Sequence, residues 1–202
     1  AIVMTSTNGE TKTTAGDILK QPPNGLNLLS NLETKLCQIK HRTNGQPRWK
    51  LQTYLDGKLG KSAVILANDS RYGLVALKFV CTNDKKTRQR FKREVLMLQR
   101  VAHPNVVQTK TDEPLESNDG TLMVAVLEYL PNKSIDHMIK QEGRLGEQRA
   151  VAIAIDVLRG LEHIHSKDVI HKDIKCANIL GGPTGFKIAD FGISVMDESA
   201  KP

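Results

Sequence analysis

Two short stretches decide the fold of this chain: residues 171–180, His-Lys-Asp-Ile-Lys-Cys-Ala-Asn-Ile-Leu, and residues 188–192, Ile-Ala-Asp-Phe-Gly. Both lie in the last part of the chain, 167–202, where the pattern predicts short extended pieces and loops. Aspartates in loops often do no more than cap turns. The two stretches therefore need a second signal elsewhere in the chain before they indicate chemistry.

That second signal is a lysine in an apolar strand. Residues 75–80, Val-Ala-Leu-Lys-Phe-Val, predict a strand whose alternation places Ala76 and Lys78 on one face. A lone lysine in such a strand usually extends to solvent. However, Glu94 lies on or near the buried face of a predicted helix at 87–101, and a buried carboxylate needs a cationic partner. The sequence therefore predicts a Lys78–Glu94 pair whose ammonium group can contact phosphate oxygens.

Together these segments resemble the signature set of the protein kinases: the strand lysine, the catalytic loop and the D-F-G motif. Residues 103–107, His-Pro-Asn-Val-Val, are similar to the turn after the family's first large helix. The resemblance covers about residues 49–196, with the motifs in the family's order. It implies a two-lobed α+β fold. The small lobe would have a five-stranded antiparallel sheet and one large helix, and the large lobe would be only partly present.

The resemblance also implies catalytic roles, because phosphoryl transfer depends on positioning and on charge neutralisation. Asp173 would orient the substrate hydroxyl and accept its proton, and Lys175 would reach the transferring phosphoryl group. Asn178 and Asp190 have oxygen ligands of the type that Mg²⁺ prefers. With a lysine at position 175, the catalytic loop resembles that of the serine/threonine kinases. The implied function is therefore ATP-dependent phosphorylation of a protein substrate on serine or threonine, with ATP and Mg²⁺ as cofactors.

An adenine pocket is implied by residues 128–131, Glu-Tyr-Leu-Pro, which resemble the hinge between the two lobes. The main-chain groups of Glu128 and Leu130 would hydrogen-bond the base edge, and Leu127 would close the back of the pocket. The apolar walls would be formed by Val64, Ala76 and Leu180. The catalytic loop as a whole is most similar to kinases of the MAP-kinase cascades.

The glycine-rich loop departs from the family pattern. In residues 55–64, Leu-Asp-Gly-Lys-Leu-Gly-Lys-Ser-Ala-Val, Gly57 alone falls on a family glycine, while Leu59 and Ser62 occupy the other two places. Glycine there lets backbone amides approach the phosphates. An interpretation as a Walker A loop ending at 60–62 fails, because the first required glycine is a leucine and a strand follows. The altered loop leaves one alternative open: a pseudokinase or truncated scaffold that binds nucleotide or protein partners without catalysis.

Two further departures concern regulation and completeness. Lys172 stands where the family usually has an arginine, and lysine offers a point charge instead of two parallel hydrogen bonds. We therefore expect weaker control by phosphorylation of the activation loop. The chain ends ten residues after Gly192. From this we expect an incomplete catalytic domain, truncated after the D-F-G motif and without activity as an isolated piece.

Composition excludes several other classes. The 202 residues include 29 basic and 22 acidic side chains, a net charge of +7, and the apolar runs are far shorter than the roughly 20 residues that span a bilayer. Three widely spaced cysteines favour neither a disulfide framework nor a zinc site, so we expect a cytoplasmic protein. In the basic cluster at 85–93 the one aromatic residue, Phe91, belongs to the predicted apolar face of the helix with Val95 and Leu98, so no aromatic residue is interleaved on the basic face. This favours a solvated helix face and no nucleic-acid partner. The sequence predicts no particular oligomeric state.

The chain divides into three parts by pattern. Residues 1–47 predict a flexible extension with one possible short helix, residues 48–127 the small lobe, and residues 128–202 the hinge and a partial large lobe. The predicted strands are 51–55, 63–67, 74–80, 106–111 and 122–127, and the predicted helices are 87–101, a short one capped by Ser134, and 147–165. The last helix has an apolar stripe formed by Val151, Ile155, Leu158, Leu161 and Ile164.

Overall fold

The computed structural model describes residues 34, 36, 39, 48–58 and 62–197, with only the backbone at 57 and 58. Most of the predicted N-terminal helix and residues Leu59 and Gly60 of the altered glycine loop lie outside the described residues. No helix in the described part of the chain is long and apolar enough to cross a membrane.

The small lobe is an antiparallel sheet with one long helix packed against it. Its elements are β1 (Trp49–Lys58), β2 (Ser62–Asp69), β3 (Gly73–Cys81), α1 (Lys85–Arg100), β4 (Leu115–Glu116) and β5 (Leu122–Glu128). The strand order is β1-β2-β3-β5-β4. Helix α1 begins after Asp84, whose carboxylate accepts a 2.8 Å hydrogen bond from the Thr87 N–H and so satisfies one of the free donors at the helix start. The predicted five-stranded antiparallel sheet with one large helix is confirmed.

The large lobe begins where β5 ends. Its described elements are β6 (Asn132–Ser134), α2 (Ile135–Glu142), α3 (Glu147–Ser166), β7 (Val169–Ile170), a 3-10 helix (Cys176–Asn178), β8 (Ile179–Gly182), β9 (Gly185–Ile188) and β10 (Val195–Met196). They form two small sheets, β6-β8-β9 and β7-β10. The predicted cap of α2 is confirmed, because the Ser134 hydroxyl accepts from the His137 N–H at 3.2 Å.

Alternation along β3 divides the small-lobe core between the two faces of the sheet. Val75, Leu77 and Phe79 point to the outer face, where they are buried in a cluster that also includes Leu36 and Ile39. Ala76 instead belongs to the cluster that continues through α1 into the large lobe. The outer face of the sheet is therefore covered in part by residues that precede β1 in the sequence.

The predicted fourth strand at 106–111 is wrong. This segment forms only isolated bridges, Val106 with Ile188 and Thr109 with Leu127, and the fourth strand of the sheet lies at 115–116. The apolar residues of 106–111 are buried because their backbone pairs with the large lobe: the Ile188 N–H donates to Asn105 O at 2.9 Å, and the Val107 N–H donates to Ile188 O at 2.9 Å. A short buried apolar run does not reveal from sequence which partner it pairs with.

Helix α3 packs on this connecting segment through Gly160 and exposes much of its apolar stripe. Ile164 is fully buried, whereas Val151, Ile155 and Leu158 are 52%, 43% and 64% exposed. On the inner side, a Cβ at Gly160 would lie 2.8 Å from Asn105 O and 3.0 Å from Ile188 Cδ1. The missing side chain therefore lets the helix approach the backbone that aligns β9.

We predict that Gly160→Ala destabilises the protein, although alanine is the better helix former by about 1 kcal/mol. The added methyl group would displace the backbone of Asn105, and overpacking of this kind costs about 1–3 kcal/mol. Urea denaturation checks the prediction, with Ala154→Gly at an exposed site of the same helix as the control. A gain in unfolding free energy in Gly160→Ala would contradict the close packing.

Candidate active site

Lys78 lies at the meeting point of both lobes. Its Nζ is 2.5 Å from Glu94 Oε1 of α1 and 2.9 Å from Asp190 Oδ1 in the segment after β9. The side chains of Lys78 and Glu94 are only 16% and 7% exposed. The predicted Lys78–Glu94 pair is therefore present, and the structure adds a second carboxylate that the spacing did not reveal.

Lys78 and Asp190 each favour the charged form of the other, whereas burial raises the pKa of Glu94 despite the adjacent ammonium group. Burial by itself would lower the pKa of Lys78, but the carboxylates of Glu94 and Asp190 outweigh it, so the pKa is raised. Burial would likewise raise the pKa of Asp190, but Lys78 and the Gly192 N–H lower it below the ordinary value. Near neutral pH the ammonium and the Asp190 carboxylate are consequently both charged.

The loop after β7 orients Asp173 by hydrogen bonds from two directions. The Asn178 side-chain amide donates to Asp173 O and to Asp173 Oδ2, each at 2.9 Å. Lys175 Nζ lies 2.7 Å from the same Oδ2. The bond from Lys175 is the main reason that the pKa of Asp173 is lowered, and Asn178 adds to it. Asp173 is therefore an ionised proton acceptor at neutral pH, and protonation removes that capacity only as the pH falls through its lowered pKa.

His171 connects the two motif stretches, residues 171–180 and 188–192. Its Nδ1 accepts the Asp173 N–H at 3.2 Å, and its Nε2 lies 3.1 Å from Ala189 O. Since Nδ1 accepts, Nε2 is the protonated nitrogen and donates to the carbonyl. Burial lowers the pKa of His171, which favours this neutral form, and the ring packs edge-on against Phe191 with centroids 4.6 Å apart. The motif resemblance implies no role for His171, although this residue is the first of the stretch 171–180.

Two residues of the site have left-handed backbone conformations that residues other than glycine seldom adopt. Lys172 has φ +67° and Asp190 has φ +66°. Such conformations are costly and persist where the surroundings enforce them, often at functional sites. His171 hydrogen-bonds Asp173, which follows Lys172, and Ala189, which precedes Asp190. These two bonds hold the left-handed conformations in place.

The donor set fits Mg²⁺. Asp190 Oδ1 accepts from Lys78 and from the Gly192 N–H. Within the described part of the chain, Asp190 Oδ2 and Asn178 Oδ1 take part in no hydrogen bond, so both can coordinate a hard cation. Groups of three or more His, Cys, Asp or Glu suited to a metal are absent from the described residues. This is compatible with Mg²⁺, which is commonly held by one or two protein oxygens together with phosphates and waters.

The residues predicted to line an adenine pocket lie in one apolar region. Ala76 and Leu127 are nearly buried and lie directly opposite each other in the β3–β5 pairing. The half-buried members that pack against the same cluster are Val64, Leu130 and Leu180. Gly57 lies in β1 opposite Ala63.

A separate groove of about 460 Å³ lies beside α2 and the β8–β9 hairpin. Its lining includes Lys133, Met138, Arg149 and Phe186 and none of the predicted site residues. The groove is therefore distinct from the Lys78–Asp190 cluster.

The structure also reveals an ion pair that the sequence analysis missed. Lys187 Nζ lies 2.8 Å and 2.9 Å from the two carboxylate oxygens of Glu128. The resemblance to the kinase hinge implies a role only for the main chain of Glu128. The available signal was a lysine within the otherwise apolar and small residues 185–189, a position where a charge needs a partner.

A charged lysine held by two carboxylates, next to a loop that orients an aspartate, an asparagine and a second lysine, matches the residue types that position phosphates, metal ions and an acceptor hydroxyl in protein kinases. Residues 56–201 match the family model described as protein kinase domain. The chain belongs to the protein kinase family.

Several named kinases are similar to the chain. It is 37% identical over 121 residues to serine/threonine-protein kinase 12 of Arabidopsis thaliana, covering 58% of this chain and 25% of that protein. It is 35% identical over 155 residues to the mitogen-activated protein kinase kinase kinase YODA of the same plant, covering 73% and 17%. It is 37% identical over 109 residues to the kinase MST11 of Pyricularia oryzae, covering 54% and 12%. The chain thus spans a quarter or less of the length of these three relatives.

We predict that Lys175→Met raises the pKa of Asp173 toward its ordinary value, because the Lys175 hydrogen bond is the largest cause of its lowering. The raised pKa should appear in a carboxyl-carbon NMR titration. Lys172→Met removes an equal charge from a neighbouring residue. In the described part of the chain, Lys172 does not hydrogen-bond the Asp173 carboxylate, so this variant should shift the pKa of Asp173 less. Equal shifts in the two variants would show that net charge, and not the contact, sets the pKa of Asp173.

Proposed function

We propose that this chain supplies the nucleotide-binding and catalytic residues of an ATP-dependent protein serine/threonine kinase. The observation that carries the proposal is the contact of Lys78 with both Glu94 and Asp190, at 2.5 Å and 2.9 Å. This contact brings the Lys78 ammonium group of the small lobe to the carboxylate of Asp190, the aspartate of the D-F-G motif. Membership of the kinase family and the hydrogen bonds around Asp173 support the same function.

In the proposed reaction, Asp173 accepts the proton of a serine or threonine hydroxyl, while the oxygen of that hydroxyl attacks the γ-phosphorus of ATP and ADP leaves. Hydrogen bonds from Asn178 and Lys175 fix the orientation of the Asp173 carboxylate. Lys175 would exchange its hydrogen bond to Asp173 for one to the phosphoryl group as negative charge develops on that group. Lys78 would hold phosphate oxygens of the bound nucleotide.

Asn178 and Asp190 would hold Mg²⁺ through their free oxygens. The ion would supply neutralisation of phosphate charge. The base would lie in the apolar region between Ala76 and Leu180, with its polar edge toward the main chain of Glu128 and Leu130. Because burial of Glu94 requires a cation beside it, the same contact that orders α1 also places Lys78 for the phosphates.

Serine/threonine specificity, a protein substrate and a cytoplasmic location remain parts of the proposal. They are supported by Lys175 in the catalytic loop, by the names of the relatives and by the cysteine content. The similarity to YODA and MST11 also favours a place among the mitogen-activated protein kinase kinase kinases.

We predict that the full-length protein binds Mg·ATP saturably in a calorimetric titration and that Lys78→Met weakens this binding. Hydrogen bonds to charged groups contribute about 1.5–3 kcal/mol, so the expected loss is at least about tenfold. Asp173→Asn should leave the affinity unchanged and lower kcat by about 10²–10⁴, because Asp173 contacts the hydroxyl and not the nucleotide.

Lys110→Met, at an exposed lysine, is the matched control and should change neither quantity. Lys78→Met leaves Glu94 buried without its cation, so Asp190→Asn, which keeps the side-chain size, provides an independent test of the phosphate end of the site. Wild-type protein that binds Mg·ATP but transfers no phosphate would favour the scaffold alternative. Protein without saturable binding would contradict the proposed function.

A further inference from the structure

The Glu128–Lys187 ion pair joins the hinge to the strand that leads to Asp190. Lys187 is 7% exposed as a residue, and both carboxylate oxygens of Glu128 lie within 2.9 Å of its Nζ. Glu128 is the last residue of β5, and Lys187 is the next-to-last residue of β9. The pair therefore connects the two lobes at a second point, and in the described part of the chain Lys78 hydrogen-bonds neither of its members.

Glu128 is held on a second side by the segment between α1 and β4. The Gln108 N–H donates to Glu128 Oε1 at 2.8 Å, and the Glu128 N–H donates to Gln108 O at 2.9 Å. The carboxylate thus has a fixed orientation before Lys187 reaches it. A lysine that binds a fixed carboxylate through both oxygens has little freedom to move.

On the other side, Lys187 is connected through the backbone to three proposed ligand-binding residues. It is directly opposite Leu180 in the β8–β9 pairing, so the two side chains share a face of that sheet. Three residues further on is Asp190, and between them the Ala189 N–H donates to Asn178 O at 2.8 Å. A displacement of Lys187 would therefore move the floor of the adenine region and the backbone of both proposed Mg²⁺ ligands.

A buried ion pair seldom adds much net stability, because removing two charges from water offsets their attraction. Such a pair can instead fix the relative positions of the elements that it joins. We propose that Lys187 is a positioning residue, which through Glu128 sets the placement of the Asn178–Asp190 metal site relative to the hinge. The inference rests on the proposed function for its consequence in nucleotide binding, while the placement itself is measurable without nucleotide.

The test compares four variants of the full-length protein. In Lys187→Met we expect a lower melting temperature, faster amide hydrogen exchange at Ile188 and Ala189, and Mg·ATP binding weakened by at least about tenfold, since displacements near 1 Å in a site can cost about 10²-fold. Lys187→Arg keeps the charge and can bind a carboxylate with two hydrogen bonds. Its melting temperature, amide exchange and Mg·ATP affinity should therefore stay close to those of the wild type. Lys133→Met, at an exposed lysine, should change none of them.

The double variant Glu128→Gln, Lys187→Met separates position from stability. It removes both buried charges and keeps an acceptor for the Gln108 N–H, so the melting temperature should return toward wild type. Exchange at Ile188 and Ala189 should stay fast, and nucleotide binding should stay weak. Recovery of exchange and binding together with the melting temperature would overturn the inference, because a merely structural pair predicts that result.

Failure of the proposed function would look different. If wild-type protein does not bind Mg·ATP, the proposed function falls, and hydrogen exchange still decides the positioning role. Exchange at Ile188 and Ala189 that is no faster in Lys187→Met than in Lys133→Met would overturn the inference, whereas faster exchange in Lys187→Met that persists in the double variant would support it.

Discussion

The structure depends on the ion contact of one lysine with carboxylates from two different parts of the chain. Lys78 meets Glu94 only if α1 packs on the sheet with its one acidic residue inward, and it meets Asp190 only if β9 delivers the next segment to the same place. A buried charge without a partner is costly. Sheet, helix and large lobe are therefore placed relative to one another by the requirement that these three charges stay together.

The segment between α1 and β4 performs the corresponding task for the backbone. Asn105 and Val107 pair with Ile188 as strands would, and Gln108 pairs with Glu128 at the hinge. Gly160 lets α3 lie against the same backbone. Small-lobe and large-lobe elements thus share hydrogen bonds across their boundary. The catalytic loop attaches to this arrangement through His171 and Ala189, so Asp173 and Asp190 are placed by backbone contacts as well as by charge.

Much of this was accessible from local sequence. Alternation in β3 predicted the faces of Ala76 and Lys78, Ser134 predicted the start of α2, and the motif order predicted which loops hold Asp173 and Asp190. These features were predictable because each depends on residues close together in the chain. The strand predicted at 106–111 failed for the opposite reason. Its apolar residues indicate burial, but the backbone of Val106 and Val107 pairs with β9, about eighty residues away. The segment meets β5 of the sheet through one isolated bridge and single hydrogen bonds at 108–110, and so does not form a strand.

The sequence by itself determined the family, four of the five strands and the long helix of the small lobe, and the ionisable residues available for chemistry, because motif spacing and side-chain periodicity are local properties. Only the tertiary structure decided that Lys78 contacts Asp190, that His171 joins the two motif stretches, and that Lys187 binds Glu128. Each of these contacts brings together residues far apart in sequence. Their partners are selected by the cost of burying an unpaired charge or donor, and that cost is defined only once the chain has folded.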